Sequence, residues 1–193
     1  MSNPRIVCMG DSLTEGYMMD LSQRWSEWLK KSLGIEIINS GISGDTTGGM
    51  LSRFKPMVID HEPSHVIIMG GTNDVSLNIP DEQILANIYA MTRQAKHYGI
   101  QSIIGIPTPY FYEDTPMGKS FFLESQRLSE RIAGYSDKLR EFVKEDGQPV
   151  IDFSKGLTPD LFLEDGVHPS EKGHAAMAET AQAALVEILK LNI

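Results

Sequence analysis

The residue types that nucleophilic catalysis requires occur in two short segments far apart in the chain. Residues Gly10–Leu13 read Gly-Asp-Ser-Leu, and residues Asp165–Pro169 read Asp-Gly-Val-His-Pro. A serine hydroxyl becomes an effective nucleophile when a base takes its proton and an acidic group orients that base. We predict that Ser12 is the nucleophile, that His168 is its base, and that Asp165 orients the imidazole.

Two further segments offer hydrogen-bond donors for a developing oxyanion. They are Gly41–Asp45 and Gly70–Asp74. Gly44 offers a backbone N–H that no side chain obstructs, and Asn73 offers its side-chain NH₂. Together with the N–H of Ser12 they would form a three-donor oxyanion hole. The alternative for these segments is a strand-to-helix turn at the glycines and an Asx turn at Asn73.

Three aspartates, Asp11, Asp45 and Asp74, flank these donors. We interpret them as hydrogen-bond acceptors that hold the loops in place, because a pair of carboxylates acting as in a glycosidase would leave the serine and histidine without a role. The sequence has no His/Cys cluster with zinc-ligand spacing. No Gly-Lys-Ser/Thr follows the two glycines of the third segment, so a P-loop is not supported.

Of the five histidines, His168 is the preferred base because Asp165 precedes it by three residues and Gly166 lets the loop turn. His174, inside a predicted helix, is the rival. The other histidines have no carboxylate at a suggestive spacing and are interpreted as surface or strand-edge residues.

Short apolar runs alternate with longer segments of helical periodicity. The runs are continuous, which is typical of strands covered on both faces of a sheet. They predict strands over Arg5–Met9, Ile35–Asn39, His65–Met69, Ile100–Ile106 and Pro149–Phe153. Apolar residues three or four apart predict helices over Leu21–Leu33, Asp81–Tyr98, about Lys119 to Glu145, and Glu171 to about Leu191.

This alternation predicts an α/β fold with a parallel sheet and helices on both of its faces. All strands of a parallel sheet end at the same edge, where ligands bind. Ser12 follows the first predicted strand, Gly44 the second and Asn73 the third, and Asp165 and His168 lie on the loop after the fifth. We therefore expect residues more than a hundred positions apart to converge at one rim.

The composition restricts the class of protein and its partners. The 193 residues predict one domain over 1–193. Acidic residues outnumber basic ones, 26 to 17, without a basic cluster, so we expect no nucleic-acid partner. No apolar stretch approaches the ~18 residues of a membrane span, so we expect no stable membrane association. The first apolar run is too short for a signal peptide, which predicts a cytoplasmic location. Cys8 is the lone cysteine, so no intrachain disulfide forms.

The chain resembles the SGNH hydrolases, also called the GDSL lipase/esterase family, which are named for Ser, Gly, Asn and His in four sequence blocks. Here the blocks are Gly10–Thr14, Gly41–Thr46, Gly70–Asp74 and Asp165–Pro169, in the family's order. One block alone is weakly specific, whereas four in order are strongly so. Within the family the chain looks similar to the small bacterial esterases of the lysophospholipase or thioesterase type.

The resemblance implies a three-layer α/β/α sandwich with a five-stranded, flavodoxin-like parallel sheet. It implies a triad of Ser12, His168 and Asp165, with oxyanion donors from Ser12, Gly44 and Asn73. It also implies that a small-molecule acyl ester, a thioester or a lysophospholipid is hydrolysed through an acyl-enzyme on Ser12, without a metal or other cofactor. Activity is then expected to fall in acid as His168 takes up a proton.

Two alternatives stay open. The same triad would serve an O-acetyl carbohydrate esterase, since the blocks do not specify the acyl group or the alcohol. A flavodoxin-like domain that binds a nucleotide or flavin without catalysis would use Gly10–Gly16 as a phosphate loop but would not need Asp165 and His168.

The residues that line the acyl pocket are also undetermined, because the candidate side chains could instead pack a loop against the domain. These candidates are Met18, Met19, Tyr110–Tyr112, Phe121, Phe122 and Val167.

Overall fold

The chain folds around a five-stranded parallel sheet with the strand order β2-β1-β3-β4-β5. We describe it from a computed structural model, in which residues 4–115 and 122–191 are described. The strands are β1 (Arg5–Gly10), β2 (Glu36–Gly41), β3 (His65–Met69), β4 (Gln101–Ile106) and β5 (Val150–Asp152). This strand order is that of flavodoxin-like folds, and the predicted parallel sheet is confirmed.

Helices pack against both faces of the sheet. They are α1 (Ser12–Glu15), α2 (Trp25–Leu33), α3 (Thr47–Ser52), α4 (Phe54–Met57), α5 (Thr72–Ser76), α6 (Asp81–His97), α7 (Phe122–Asp146) and α8 (Glu171–Leu189). Residues 119–121 of the predicted third helix lie outside the described residues. No helix within 4–115 and 122–191 combines the length and apolar character needed to cross a membrane. The cytoplasmic location stays a prediction from the sequence.

The helix predicted over Leu21–Leu33 is in fact two elements. Leu21–Gln23 forms a 3₁₀ turn, Arg24 is extended, with φ −71° and ψ 139°, and α2 begins at Trp25. The Trp25 N–H donates to His174 Nδ1 at 3.3 Å rather than to a carbonyl of a preceding turn. This tertiary contact replaces the helical hydrogen bond that the periodicity predicted.

Side chains of β1 alternate between two apolar cores, one on each face of the sheet. Val7 and Met9 lie in the core beneath α6 and α7, whereas Ile6 and Cys8 lie in the core beneath α2 and α8. Because successive residues of a strand point to opposite faces, a strand covered on both sides must be apolar throughout. This requirement explains the continuous apolar runs. Burial on both faces holds in place the strand ends that carry the site.

Candidate active site

Ser12, His168 and Asp165 form a continuous chain of side-chain hydrogen bonds. His168 Nε2 lies 3.0 Å from Ser12 Oγ. His168 Nδ1 lies 2.7 Å from Asp165 Oδ2. A carboxylate accepts hydrogen bonds, so this geometry fits an imidazole protonated on Nδ1, with Nε2 available to take the serine proton. The structure therefore brings together the three residues that the sequence placed at a common rim.

Ser12 is the first residue of α1, directly after the turn that leaves β1. Asp11 caps this helix, since its Oδ1 accepts the N–H of Leu13 at 2.9 Å. The turn is tight at Gly10, where an added Cβ would lie 2.1 Å from Thr14 Oγ1 and 2.6 Å from the Met69 carbonyl oxygen. Position 10 therefore has no room for a side chain, because the backbone turns tightly there before Ser12.

The loop between β5 and α8 holds His168 through Asp165. The carboxylate accepts the backbone N–H groups of Val167 and His168, each at 2.9 Å, in addition to the imidazole. Burial alone would raise the pKa of Asp165, but the N–H and ring of His168 and the N–H of Val167 outweigh it and hold that pKa below its ordinary value. Asp165 is therefore ionised at neutral pH.

Two backbone donors at the site have no partner within the part of the chain that the structure describes. They are the N–H groups of Ser12, at the N-terminus of α1, and of Gly44. Gly44 has φ +79°, a left-handed conformation that glycine adopts without strain. Asn73 Nδ2 donates to the carbonyl oxygen of Asp45 at 2.9 Å and to Asp11 Oδ2 at 3.3 Å. The three donors predicted for an oxyanion hole follow β1, β2 and β3, as expected.

The three aspartates bind the loops to one another. Asp74 accepts the N–H of Thr47 at 2.9 Å and its hydroxyl at 2.6 Å. Burial raises the pKa of Asp11 to about 7; the Leu13 N–H opposes this rise, and the carboxylates of Asp74 and Asp45 add to it. Asp11 joins the serine turn to Asn73, so its contacts support the interpretation that these carboxylates position loops.

Arg53, which we did not single out in the sequence, joins three segments of the site. Its Nε donates to Asp45 Oδ2 at 2.6 Å, its Nη1 to the Ser40 carbonyl oxygen at 2.7 Å, and its Nη2 to the Gly10 carbonyl oxygen at 2.8 Å. The guanidinium thereby ties the ends of β1 and β2 to the loop that carries Gly44. The sequence could have indicated only the pair with Asp45, eight residues earlier, because every residue has a main-chain carbonyl and the sequence does not show which ones accept a hydrogen bond.

Two residues just after the first block, Glu15 and Tyr17, add contacts that we did not predict. Glu15 Oε2 accepts the backbone N–H of Ser43 at 2.6 Å and its hydroxyl at 2.5 Å, which fixes the loop next to Gly44. The ring of Tyr17 lies against the imidazole of His168, with ring centroids 4.4 Å apart and an interplanar angle of 36°. Both residues follow Ser12 within five positions, so proximity in sequence was the available signal.

His174, the rival base, is buried in the N-terminal half of α8, and the hydrogen bond of Ser12 Oγ is to His168 instead. It is 1% exposed, and its Nδ1 accepts the N–H of Trp25. Burial lowers the pKa of His174 to about 4, and the positive charges of Arg24 and His168 act in the same direction. A histidine that stays neutral and pairs with the main chain has a structural role.

The lowered pKa of His174 predicts a loss of stability in acid. Between its ordinary value of 6.5 and about 4, the unfolded chain binds a proton that the folded chain does not, so stability falls as pH falls through this range. At ~1.4 kcal/mol per pKa unit, the free energy of unfolding should fall by about 2 kcal/mol between pH 7 and pH 4.5 from this group. Urea unfolding at pH 7 and pH 4.5 measures it. The His174→Asn variant should lose less than wild type, and equal losses would contradict this assignment.

The fold and the site together indicate a serine hydrolase, since a serine hydroxyl, an imidazole and a carboxylate are hydrogen-bonded in sequence at the carboxyl ends of parallel strands. The chain belongs to the GDSL-like lipase/acylhydrolase family, whose model matches residues 8–176. It is a hydrolase acting on ester bonds. Family membership favours this function over the nucleotide-binding alternative considered from the sequence.

Several characterised proteins are similar over nearly the whole chain. An arylesterase from Vibrio mimicus is 27% identical, covering 97% of this chain and 91% of the relative. The thioesterase 1/protease 1/lysophospholipase L1 of Escherichia coli (strain K12) is 26% identical, covering 90% of this chain and 79% of the relative. The crystal structure of a GDSL-like lipase from Bacteroides thetaiotaomicron VPI-5482 superimposes with a TM-score of 0.78 and 26% identity, covering 96% of this chain and 89% of that chain.

Proposed function

We propose that this protein hydrolyses carboxylic esters in two steps through an acyl-enzyme on Ser12, with His168 as general acid–base and Asp165 as the group that orients it. The observation that carries the proposal is the pair of hydrogen bonds on the imidazole. Nε2 lies 3.0 Å from Ser12 Oγ, and Nδ1 lies 2.7 Å from Asp165 Oδ2. These are the contacts that a serine needs to become nucleophilic at neutral pH.

In the first step, Ser12 Oγ attacks the ester carbonyl carbon while its proton passes to His168 Nε2. The carbonyl oxygen becomes an oxyanion that accepts hydrogen bonds from the N–H groups of Ser12 and Gly44 and from Asn73 Nδ2. The C–O bond to the alcohol then breaks, and the proton on Nε2 passes to the alcohol oxygen. The product is an ester between the acyl group and Ser12, and His168 is neutral again.

In the second step, water takes the place of the alcohol. His168 Nε2 accepts a proton from the water as its oxygen attacks the acyl carbon, and the oxyanion returns to the same donors. The bond to Ser12 Oγ then breaks, and the proton on Nε2 returns to the serine. The carboxylic acid leaves, and no other reactant is consumed.

The role of Asn73 carries a prediction of its own. In the free protein its NH₂ is shared between the Asp45 carbonyl oxygen and the longer contact to Asp11, and the oxyanion would replace the weaker of the two. Loss of one oxyanion donor typically costs about 2.7–4 kcal/mol in the transition state, so Asn73→Ala should lower kcat about 10²–10³-fold with little change in KM. Steady-state kinetics with 4-nitrophenyl acetate measures this. A raised KM with unchanged kcat would assign Asn73 to ground-state binding instead.

A shared acyl-enzyme predicts how products divide between water and an added nucleophile. Phenyl acetate and 4-nitrophenyl acetate would form the same acetyl-enzyme, so hydroxylamine should divert the same fraction of each into acetohydroxamate. Fractions that differ between the two esters would exclude a common intermediate.

A panel of 4-nitrophenyl esters of increasing acyl length, an acyl thioester and acetylated xylose then defines the substrate. Turnover of the acetylated sugar alone would favour the carbohydrate esterase.

A further inference from the structure

Tyr17 is held beside the base by the chain that carries the nucleophile. Helix α1 is capped by Gly16, which has φ +84°, and the Tyr17 N–H donates to the Ser12 carbonyl oxygen at 3.1 Å. This turn brings the phenol ring against His168, at a centroid distance of 4.4 Å. Tyr17 is nevertheless 41% exposed, so much of its surface is open to a ligand.

Met18, the next residue in the chain, has a backbone conformation that methionine seldom adopts. Its φ is +62°, and it is 75% exposed. A left-handed conformation costs a residue with a Cβ on the order of 1 kcal/mol, which glycine avoids. The exposed side chain gains little from burial in the free protein to offset that strain. Strained positions of this kind occur at ligand-contacting sites, and here the position is six residues after the serine.

The chemistry decides which part of the substrate would meet these side chains. The proton on His168 Nε2 passes to the alcohol oxygen, so that oxygen must come within hydrogen-bond distance of Nε2. The rest of the alcohol then extends beside the imidazole, where the ring of Tyr17 lies. A ring face and a thioether offer planar apolar contact and no charge, which suits an aromatic group in offset stacking.

We propose that Tyr17 and Met18 form the binding subsite for the leaving alcohol and that they select esters of aromatic or other planar apolar alcohols. This inference rests on the function proposed above, because it places the alcohol by the proton that His168 donates. It assigns the two side chains to the alcohol rather than to the acyl group, for which Met18 was considered from the sequence.

The test compares two acetate esters that form the same acetyl-enzyme, phenyl acetate and 2,2,2-trifluoroethyl acetate. Losing a well-packed apolar contact typically costs ten- to two-hundredfold in specificity, so Tyr17→Ala should lower kcat/KM for phenyl acetate about tenfold or more. The compact trifluoroethyl ester should lose less than about twofold. Tyr17→Phe keeps the ring and should restore the preference for phenyl acetate over the trifluoroethyl ester. Tyr98→Ala removes another exposed tyrosine, which precedes β4 at the opposite edge of the sheet, and is the control.

Met18→Gly separates binding from folding. The change removes the side chain and relieves the left-handed strain, so the free energy of unfolding should be unchanged or raised while kcat/KM for 1-naphthyl acetate falls about fivefold or more. A substitution whose only effect were structural would lower stability and leave the preference among alcohols as it was.

The rate of deacylation distinguishes selection of the alcohol from positioning of His168. After the alcohol has left, both esters give one acetyl-enzyme, so the hydroxylamine partition and the deacylation rate of Tyr17→Ala should equal those of wild type. Equal losses for both esters together with slower deacylation would overturn the subsite and leave Tyr17 as a support for the imidazole. A change in acyl-length preference would also overturn it. Product fractions that differ between esters in wild type would instead defeat the acyl-enzyme itself.

Discussion

Replacing Ser12 by alanine is expected to lower kcat/KM for 4-nitrophenyl acetate by about 10⁴–10⁶-fold. The expected loss is this large because the serine, the base and the acid act as one unit, and binding and the oxyanion donors alone supply the remaining rate. Stability should change little, since the only hydrogen bond of Ser12 Oγ in the described part of the chain is to His168. Steady-state kinetics and urea unfolding measure the two quantities.

The comparison that supports this prediction is Ser22→Ala, an exposed serine ten residues further along the chain. It should keep wild-type activity. A Ser12→Ala variant that retains more than about a hundredth of the wild-type rate would show that the reaction does not pass through this hydroxyl.

Replacing Asp165 by asparagine is expected to lower kcat about 10⁴-fold. The amide oxygen can still accept the N–H groups of Val167 and His168, but the NH₂ would face His168 Nδ1 in place of a carboxylate oxygen. The imidazole would then carry its proton on Nε2 and could not accept one from Ser12. Activity therefore falls through the wrong tautomer while the loop keeps its shape.

Asp165→Ala separates the two functions of this carboxylate. It removes the acceptor for the loop N–H groups as well, so the free energy of unfolding should fall by about 1–3 kcal/mol, whereas the asparagine variant should keep most of its stability. An asparagine variant within tenfold of wild type would remove Asp165 from the mechanism.

The parallel sheet and the residues that meet at its edge could be predicted from the sequence alone. Apolar runs such as His65–Met69 are short, continuous and bounded by turn residues, and β3 occupies that range. Ser12, Gly44 and Asn73 each follow a predicted strand. Parallel strands all end at one edge, so local position was enough to predict long-range proximity.

Contacts that depend on tertiary structure could not be predicted in the same way. The partners of Arg53 are two carbonyl oxygens and one carboxylate, and only the folded chain brings the carbonyls together. The contact of Tyr17 with His168 depends on the left-handed turn at Gly16. The boundary between the 3₁₀ turn and α2 depends on the bond from Trp25 to His174, which a periodic pattern does not contain.

The most direct test of the account is to label the protein with a fluorophosphonate and map the modified peptide. Such a reagent reacts with a serine hydroxyl that is both deprotonated by a base and adjacent to oxyanion donors. We expect one phosphonyl group per chain, on Ser12, with labelling abolished in Ser12→Ala and strongly slowed in His168→Ala. Labelling of another residue, or an active enzyme that stays unlabelled at Ser12, would contradict the acyl-enzyme mechanism.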